Sequence, residues 1–480
     1  MKKIIYKSAL LLLSIITLQS CSESFLETPA PNISDAVYFS SDEAVVTALA
    51  GAYDPLGWYD HMQINEWAIG DVVSDDAEKG GENDADQADI HELSVFSANA
   101  ENGLIREKWQ APYIGINRVN KLIEGITENE KISEDVRVRV LAEAKFLRGL
   151  YHFQLAKIFG GIPVVTKILS PSEFTLPRNT EEETWAQIEM DLKDAVEGLP
   201  RKSQLIPEEL GRATWGAASS LLVKSYIFQE KWSEAETLAS AIVNSGEYDL
   251  EANYNDVFKL SHDNGVESIF DIQYVDVETG EWGDSQEGQV TSIFQGSREN
   301  GGWGFNCPTQ DLYDEYESGD VRLAGTIISD GDVLWAGSAD EETFYTIYPQ
   351  NPTGYHNRKY QLPASEKGAM SEDPLNWKLI RFADVLLWQA EAAAHNGTDW
   401  QTPLNRVRSR AGLGNTTETD ALKSVYHERR VELAMEGHRY WDLVRTGRGD
   451  LMNGYSENKR CFLIPQIEVN LNPNLVQNPY

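Results

Sequence analysis

Glu428, Glu432 and Glu436 fall four residues apart in the stretch YHERRVELAMEGHRYWDLVR, residues 426–445, beside histidines and a run of arginines. On a helix they would line one face as a like-charged row, which destabilises an isolated helix and calls for cations. Arg429, Arg430 and Arg439 lie next to it, and the upstream RVRSRAGL supplies Arg406, Arg408 and Arg410. Carboxylates beside a histidine are the raw material of general acid–base chemistry. Structural ion-pair networks use the same residue types, and a helix end packed through Glu/Arg pairs is the expectation here.

Other chemistry is thinly signalled. Asp75 and Asp76 open an acidic, Gly- and Asn-rich run, GDVVSDDAEKGGENDADQAD, that reads as a long solvated loop but lacks the spacing of an EF-hand. Eight histidines form no HExxH, no GxSxG is present, and GGWG at 301–304 has no following Lys-Ser/Thr to hold a phosphate. No catalytic residue, metal ligand or cofactor is expected. What does stand out is the placing of aromatics. Trp58, Tyr59, Trp67, Trp282, Trp303, Phe305, Trp335, Tyr345, Tyr348 and Tyr355 fall in loop-like regions. Flat rings on loops suit sugars, whose C–H faces lie on Trp or Tyr while nearby polar groups bind hydroxyls. Trp282, Trp303 and Trp335 are the expected platforms, with Asp75 and Asp76 as hydroxyl acceptors.

The elements that must carry these residues are mainly α. Amphipathic spacing predicts helices over 43–53, 102–127, 133–159, 180–199, 211–229 and 232–244, the fourth opened by a Thr180/Glu183 capping box. The last two form a close hairpin with Ala235 and Ala239 at the spacing of a tetratricopeptide-like repeat, the kind that stacks into a solenoid. From 248 to 376 helical periodicity fades into a loop-rich lobe, with short strands predicted at 268–274, 322–328 and 343–348. Helices are expected again over 377–394, 402–411 and 420–437, before an extended tail. The reading is therefore a helical scaffold, 41–247 and 377–480, with the acidic and aromatic loop 58–89 in its first part and a ligand-binding lobe, 248–376, inserted.

The chain has 480 residues and a formal charge of −35, a field that repels nucleic acid and other polyanions and favours neutral ligands. Lys2, Lys3 and Lys7 precede a short apolar run that ends Leu18-Gln19-Ser20-Cys21. This resembles a lipoprotein signal, residues 1–20, with Cys21 as the lipidated first residue of a tether, 21–40. Two acyl signals suffice for stable anchoring. Cys307 and Cys461 are expected to be free, mostly buried thiols.

Several blocks, in order, resemble the SusD/RagB family of outer-membrane nutrient-binding lipoproteins: YIGINRVNKLI, AEAKFLRGLYHFQLAKIFGGIPVV, GRATWGAASSLLVKSYIFQEKWSEAE, VESIFDIQY, LIRFADVLLWQAEAAAHNG, ERRVELAMEGHRYWDLVR and FLIPQIEVNLNPNLVQNPY. The resemblance implies tetratricopeptide-like hairpins and a lipid-anchored, outward-facing protein. It also implies capture of neutral oligo- or polysaccharide for a SusC-like TonB-dependent transporter, without catalysis. YHNRKY, 355–360, resembles a segment shared in the family, which favours a structural role. Two other readings stand beside this one: a protein- or peptide-binding member docking on a receptor barrel, and a glycoside hydrolase using an acidic pair.

Overall fold

The computed structural model describes residues 38–277, 287–346, 348, 350–369 and 372–480. Cys21 and its leader, and Trp282, lie outside the described residues.

The scaffold begins with α1 (Asp42–Tyr53), where the Ser41 hydroxyl accepts the Ala44 N–H at 3.3 Å. It continues through α2 (Gly103–Ile126), α3 (Glu134–Phe159), α4 (Glu181–Gly198), α5 (Trp215–Phe228) and α6 (Trp232–Val243). The ends follow local chemistry. Thr180 and Glu183 close a reciprocal capping box on α4 at 3.1 and 2.9 Å, which satisfies two N–H groups that the first turn leaves open. Gly160 ends α3 at φ +72°. Each helix packs on the next, and small buried residues, Ala217 and Ala218 on α5 with Ala235 and Ala239 on α6, let the backbones of that hairpin approach closely.

The path then skips the insertion: α6 packs directly on α7 (Phe382–Asn396), which carries α8 (Gln401–Arg410) and α9 (Ala421–Leu433), followed by α10 (Arg439–Arg445). Strands are few, short and paired only in twos. β1 (Ala77–Gly80) runs antiparallel to β3 (Phe305–Pro308), and β2 (Ser268–Ile272) to β8 (Trp377–Arg381). β4 (Ile327–Ser329) pairs with β7 (Tyr355–Asn357), and β5 (Val333–Leu334) with β6 (Glu342–Thr343). A mainly α fold with short strands is what the helical periodicity predicts.

Local differences have physical reasons. Residues 377–394, expected as one helix, split into β8 and α7. WKLIR is buried on both faces and pairs with SIFDI of β2, and a short apolar run cannot be told strand from helix by period alone. The strand expected at 322–328 starts only at Ile327, because Arg322–Thr326 is a helical turn that carries Arg322 back to Asp320. The strand expected at 343–348 is confined to Glu342–Thr343. The last expected helix stops at Leu433, where Met435 (φ +63°) and Gly437 (φ +78°) turn the chain, and the tail contains a helical turn, Gln466–Leu471. Much of 58–89 is not a solvated loop: from Met62 to Val73 it is buried in short helical turns.

The acidic row joins α8 and α9 to side chains from residues 248–381. Glu428, Glu432 and Glu436 are all buried. Arg322 Nη1 donates to Glu428 at 2.6 Å and to Glu432 at 3.0 Å, and Arg408 donates to Glu428 at 3.0 Å. Arg381, at the end of β8, donates to Glu432 (2.6 Å), Glu436 (2.7 and 2.8 Å) and Glu267 (2.7 Å). Arg410 also pairs with Glu432, and Lys359 with Glu436 at 2.6 Å. Of the expected cations, Arg408 and Arg410 serve the row. Arg406 instead pairs with Asp249, and Arg429 with Asp384 and Asp442.

Beside this junction Gly70 packs against Gly437, whose N–H donates to Asp71 at 2.9 Å. A Cβ on Gly70 would overlap the Gly437 carbonyl, which is backbone and cannot rotate away. Gly70→Ala is expected to cost about 2–3 kcal/mol in urea unfolding; a loss under about 0.5 kcal/mol would contradict this tight approach.

Candidate functional site

β1 and β3 bring the acidic loop to the aromatic lobe. Their register, Ala77 opposite Pro308 and Gly80 opposite Phe305, is extended by the Gly81 N–H donating to the Gly304 carbonyl at 2.8 Å. Residues 81–87 therefore face residues 297–304. Arg298 spans the gap: its Nη2 donates to Asp86 at 2.9 Å, and its guanidinium lies over the Tyr348 ring, 5.4 Å from the centroid. Asn300 fastens the neighbouring segment, donating to Glu342 at 2.7 Å and the Thr343 carbonyl at 3.0 Å, and accepting the Tyr345 N–H at 3.1 Å. Tyr345 is left 45% exposed, a ring with an open face beside this polar set.

Trp303 belongs to the same loop. It is half-buried, edge-on to Phe294 at 4.5 Å between centroids. Trp335 sits across the β5/β6 hairpin, half-buried against a small satellite core of Ile328, Leu334 and Phe344. Its backbone is held at φ +52°, a strained setting for a large residue. The Arg358 guanidinium covers its ring at 4.9 Å. Among the described residues no carboxylate pairs with Arg358, and burial pulls its pKa down to about 10. An arginine left to a tryptophan face in so acidic a chain keeps its donor fork available for hydroxyls.

Asp75 and Asp76 stand elsewhere. Arg439 grips Asp75 through two hydrogen bonds of 2.7 Å, and Asp76, fully buried, takes the Arg430 Nε at 2.7 Å. Both carboxylates fasten the 58–76 segment to α9 and α10, though among the described residues Asp76 Oδ2 has no hydrogen-bond partner. The side-chain hydrogen bonds they accept come from guanidinium groups of α9 and α10 rather than from the ring-bearing loops. Asp86, Arg298 and Arg358 are the polar groups that the structure puts beside the rings, and sequence reading missed them. No local signal could have found Arg358: it has no acid within four residues, but the same is true of Arg148 and Arg408, which pair with Asp191 and Glu428 from far along the chain.

The YHNRKY segment is built into the frame: Tyr355 stacks on Tyr313 at 5.0 Å, Tyr360 on Trp377 at 4.5 Å, and Lys359 pairs with Glu436. Cys307 and Cys461 are free thiols, and burial pushes the Cys307 thiol up to about 12, so it is inert. Among the described residues no group of His, Cys, Asp and Glu is placed to hold a metal ion, and no helix is long and apolar enough to cross a membrane.

Comparison with known proteins agrees with this architecture. Residues 266–463 match the family model described as "SusD family", and residues 24–227 the one described as "Starch-binding associating with outer membrane". A SusD-like protein of Bacteroides ovatus is 28% identical, the alignment covering 95% of this chain and 86% of that protein. A solved structure titled "Laminarin binding SusD-like protein" superposes with a TM-score of 0.81 at 30% identity, covering 92% of this chain and 99% of the other. Surface glycan-binding protein A from Bacteroides thetaiotaomicron, solved in complex with laminarihexaose, gives a TM-score of 0.80 at 26% identity, covering 92% and 100%. With near end-to-end coverage in sequence and in structure, this chain belongs to the SusD family.

Proposed function

We propose that this protein is a cell-surface glycan-binding lipoprotein, anchored through Cys21 in the outer membrane and facing outward, which captures neutral oligo- or polysaccharide and passes it to a SusC-like TonB-dependent transporter. Its relatives' titles name laminarin and laminarihexaose as ligands, and one of its family models is described as associating with the outer membrane. The observation that carries the reading is the surface at the junction of the two loops, where exposed or half-exposed rings, Trp303, Tyr345 and Tyr348, stand beside Arg298 and Asp86, with Trp335 under Arg358 as a further ring on the β5/β6 hairpin. Rings cover the sugar's C–H face and the ionic groups bind its hydroxyls, so no bond is made or broken and no catalytic group is called for. The net charge of −35 favours a neutral glycan.

Electrophoresis in gels containing laminarin or another neutral glucan tests this. The wild-type protein is expected to be retarded, and Trp303→Ala and Tyr345→Ala each to weaken binding about tenfold, or ~1.4 kcal/mol. Tyr345 is exposed, so its removal should barely move the thermal midpoint, whereas Trp303→Ala also loses packing on Phe294 and should lower it. Retardation by a glucan that survives both substitutions together would place binding elsewhere.

A further inference from the structure

Between α1 and β2 the scaffold holds a cleft of about 620 Å³, inside the range of small-molecule sites. Its lining shares no residue with the surface around Trp303, Tyr345 and Arg298. Tyr53, Trp58, Tyr59 and Tyr274 supply rings, and Leu49, Leu56 and Ile272 an aliphatic wall. Among the described residues, two of its buried polar side chains make no hydrogen bond, and a third, Asp271, leaves Oδ1 unmatched while Oδ2 accepts from Lys378. His61 is 1% exposed with neither ring nitrogen hydrogen-bonded, and the buried hydroxyl of Tyr274 is likewise unmatched. A buried polar group without a partner costs about 1–3 kcal/mol, so two facing one cleft mark a place where something else completes them.

The lining also says what that is. Burial, with Lys108 adding to it, holds the His61 pKa well below its usual value, so the imidazole is neutral, one nitrogen donating and one accepting. The phenol of Tyr274 can likewise donate or accept. Hydroxyl groups match both. Around them Asp54, Glu107 and Asp271 are paired with Arg118, Arg106 and Lys378, and Arg212 with Glu143, so among the described residues the lining offers no spare cation and an anion is disfavoured. We propose that this cleft is a second ligand site, taking a neutral, hydroxylated ring of mono- to disaccharide size that bonds to His61 and Tyr274 and lays an apolar face on Tyr53 or Trp58.

The test is titration calorimetry of the full chain with glucose, maltose, cellobiose and laminaribiose. At least one of the four is expected to bind at one per chain. That binding should persist within twofold in the Trp303→Ala/Tyr345→Ala protein, fall at least fivefold in Tyr274→Phe, which removes only the hydroxyl, and vanish in Ala50→Trp. Ala50 is an exposed residue at the mouth, so the last change plugs the cleft without entering the core. Retention of Ala50→Trp in glucan gels should match wild type, which separates this site from the ring surface. No binding of any of the four sugars by wild type, loss of it in the Trp303/Tyr345 protein, or indifference to both Tyr274→Phe and Ala50→Trp would each overturn the proposal.

Discussion

Replacing Arg381 by Met is expected to lower unfolding free energy by about 3–5 kcal/mol, enough to cut the yield of folded protein severely. Arg381 is 1% exposed and its guanidinium donates to Glu267, Glu432 and Glu436, as well as to the Glu432 carbonyl at 2.8 Å. Methionine keeps much of the volume and removes the charge, so the loss measured is that of carboxylates left buried with fewer cations. They are not left bare: Glu432 keeps Arg410 and Arg322, Glu436 keeps Lys359, and Glu267 keeps Arg410 at 3.0 Å. That places the cost near that of one broken buried pair rather than three. Arg406→Met is the control, since its pair with Asp249 at 2.7 Å is solvent-exposed and such pairs contribute under about 1 kcal/mol. Equal urea midpoints for the two variants would show that the junction does not depend on its charges. Glycan affinity of the surviving folded Arg381→Met protein should be near normal, because the junction supports the ring surface without touching it.

How far this was readable from the sequence depends on how local each cause is. Helix boundaries come from neighbours in the chain: Thr180 caps where the sequence places its box, and Ser41 and Asn102 cap their own helices in the same local way. The acidic row was legible as a face that needs cations, since four-residue spacing is a local fact. Which cations was not. Arg322 and Arg381 lie 110 and 51 residues from Glu432, and nothing in the spacing of either names the other. WKLIR had the same difficulty, because its strand partner SIFDI is more than a hundred residues away.

The site divides along the same line. Rings on loops were legible because composition and broken periodicity mark loops, and Trp303 and Trp335 lie outside helix and strand. Asp75 and Asp76 looked available because their guanidinium partners, Arg439 and Arg430, are 364 and 354 residues away. In so acidic a chain most carboxylates look alike in sequence, and burial decides which are structural. Arginines are no easier: Arg358, Arg148 and Arg408 all lack a nearby acid in sequence, yet among the described residues only the last two find a carboxylate partner in the fold.

The stability of this protein is expected to peak on the acid side of neutrality and to collapse steeply below about pH 4. Glu66, Glu432, Glu436 and Asp442 are buried, which alone would push their pKa values up. Lysines 108 and 157 around Glu66, arginines 410, 381 and 322 around Glu432, Arg381 and Lys359 around Glu436, and arginines 429 and 445 around Asp442 outweigh that and hold all four below the ordinary range. A lowered carboxylate pKa stabilises the fold above the unfolded value, about 4, and the gain is lost as pH falls toward the folded value. Below pH 4 each such group takes away up to about 1.4 kcal/mol per pH unit, so four together remove up to about 5.6 kcal/mol per unit, comparable to a whole domain's margin. Asp71 works in the opposite direction. Burial raises it to about 8, so folding takes up a proton, and its contribution is full below about pH 4 and is lost as pH climbs to 8. Asp71→Asn mimics the protonated form: Oδ1 still accepts from Gly437, and the new amide can donate to Asn306 once that side chain turns its unpartnered Oδ1 inward. The variant should therefore lose about 1.4 kcal/mol per pH unit of the alkaline slope between pH 6 and 8, while its acid limb stays as steep as wild type. Urea midpoints across pH 3–9 decide it: a wild-type midpoint flat to pH 3, or an unchanged slope above pH 6 in Asp71→Asn, would show that these buried carboxyls are not in the protonation states argued for them.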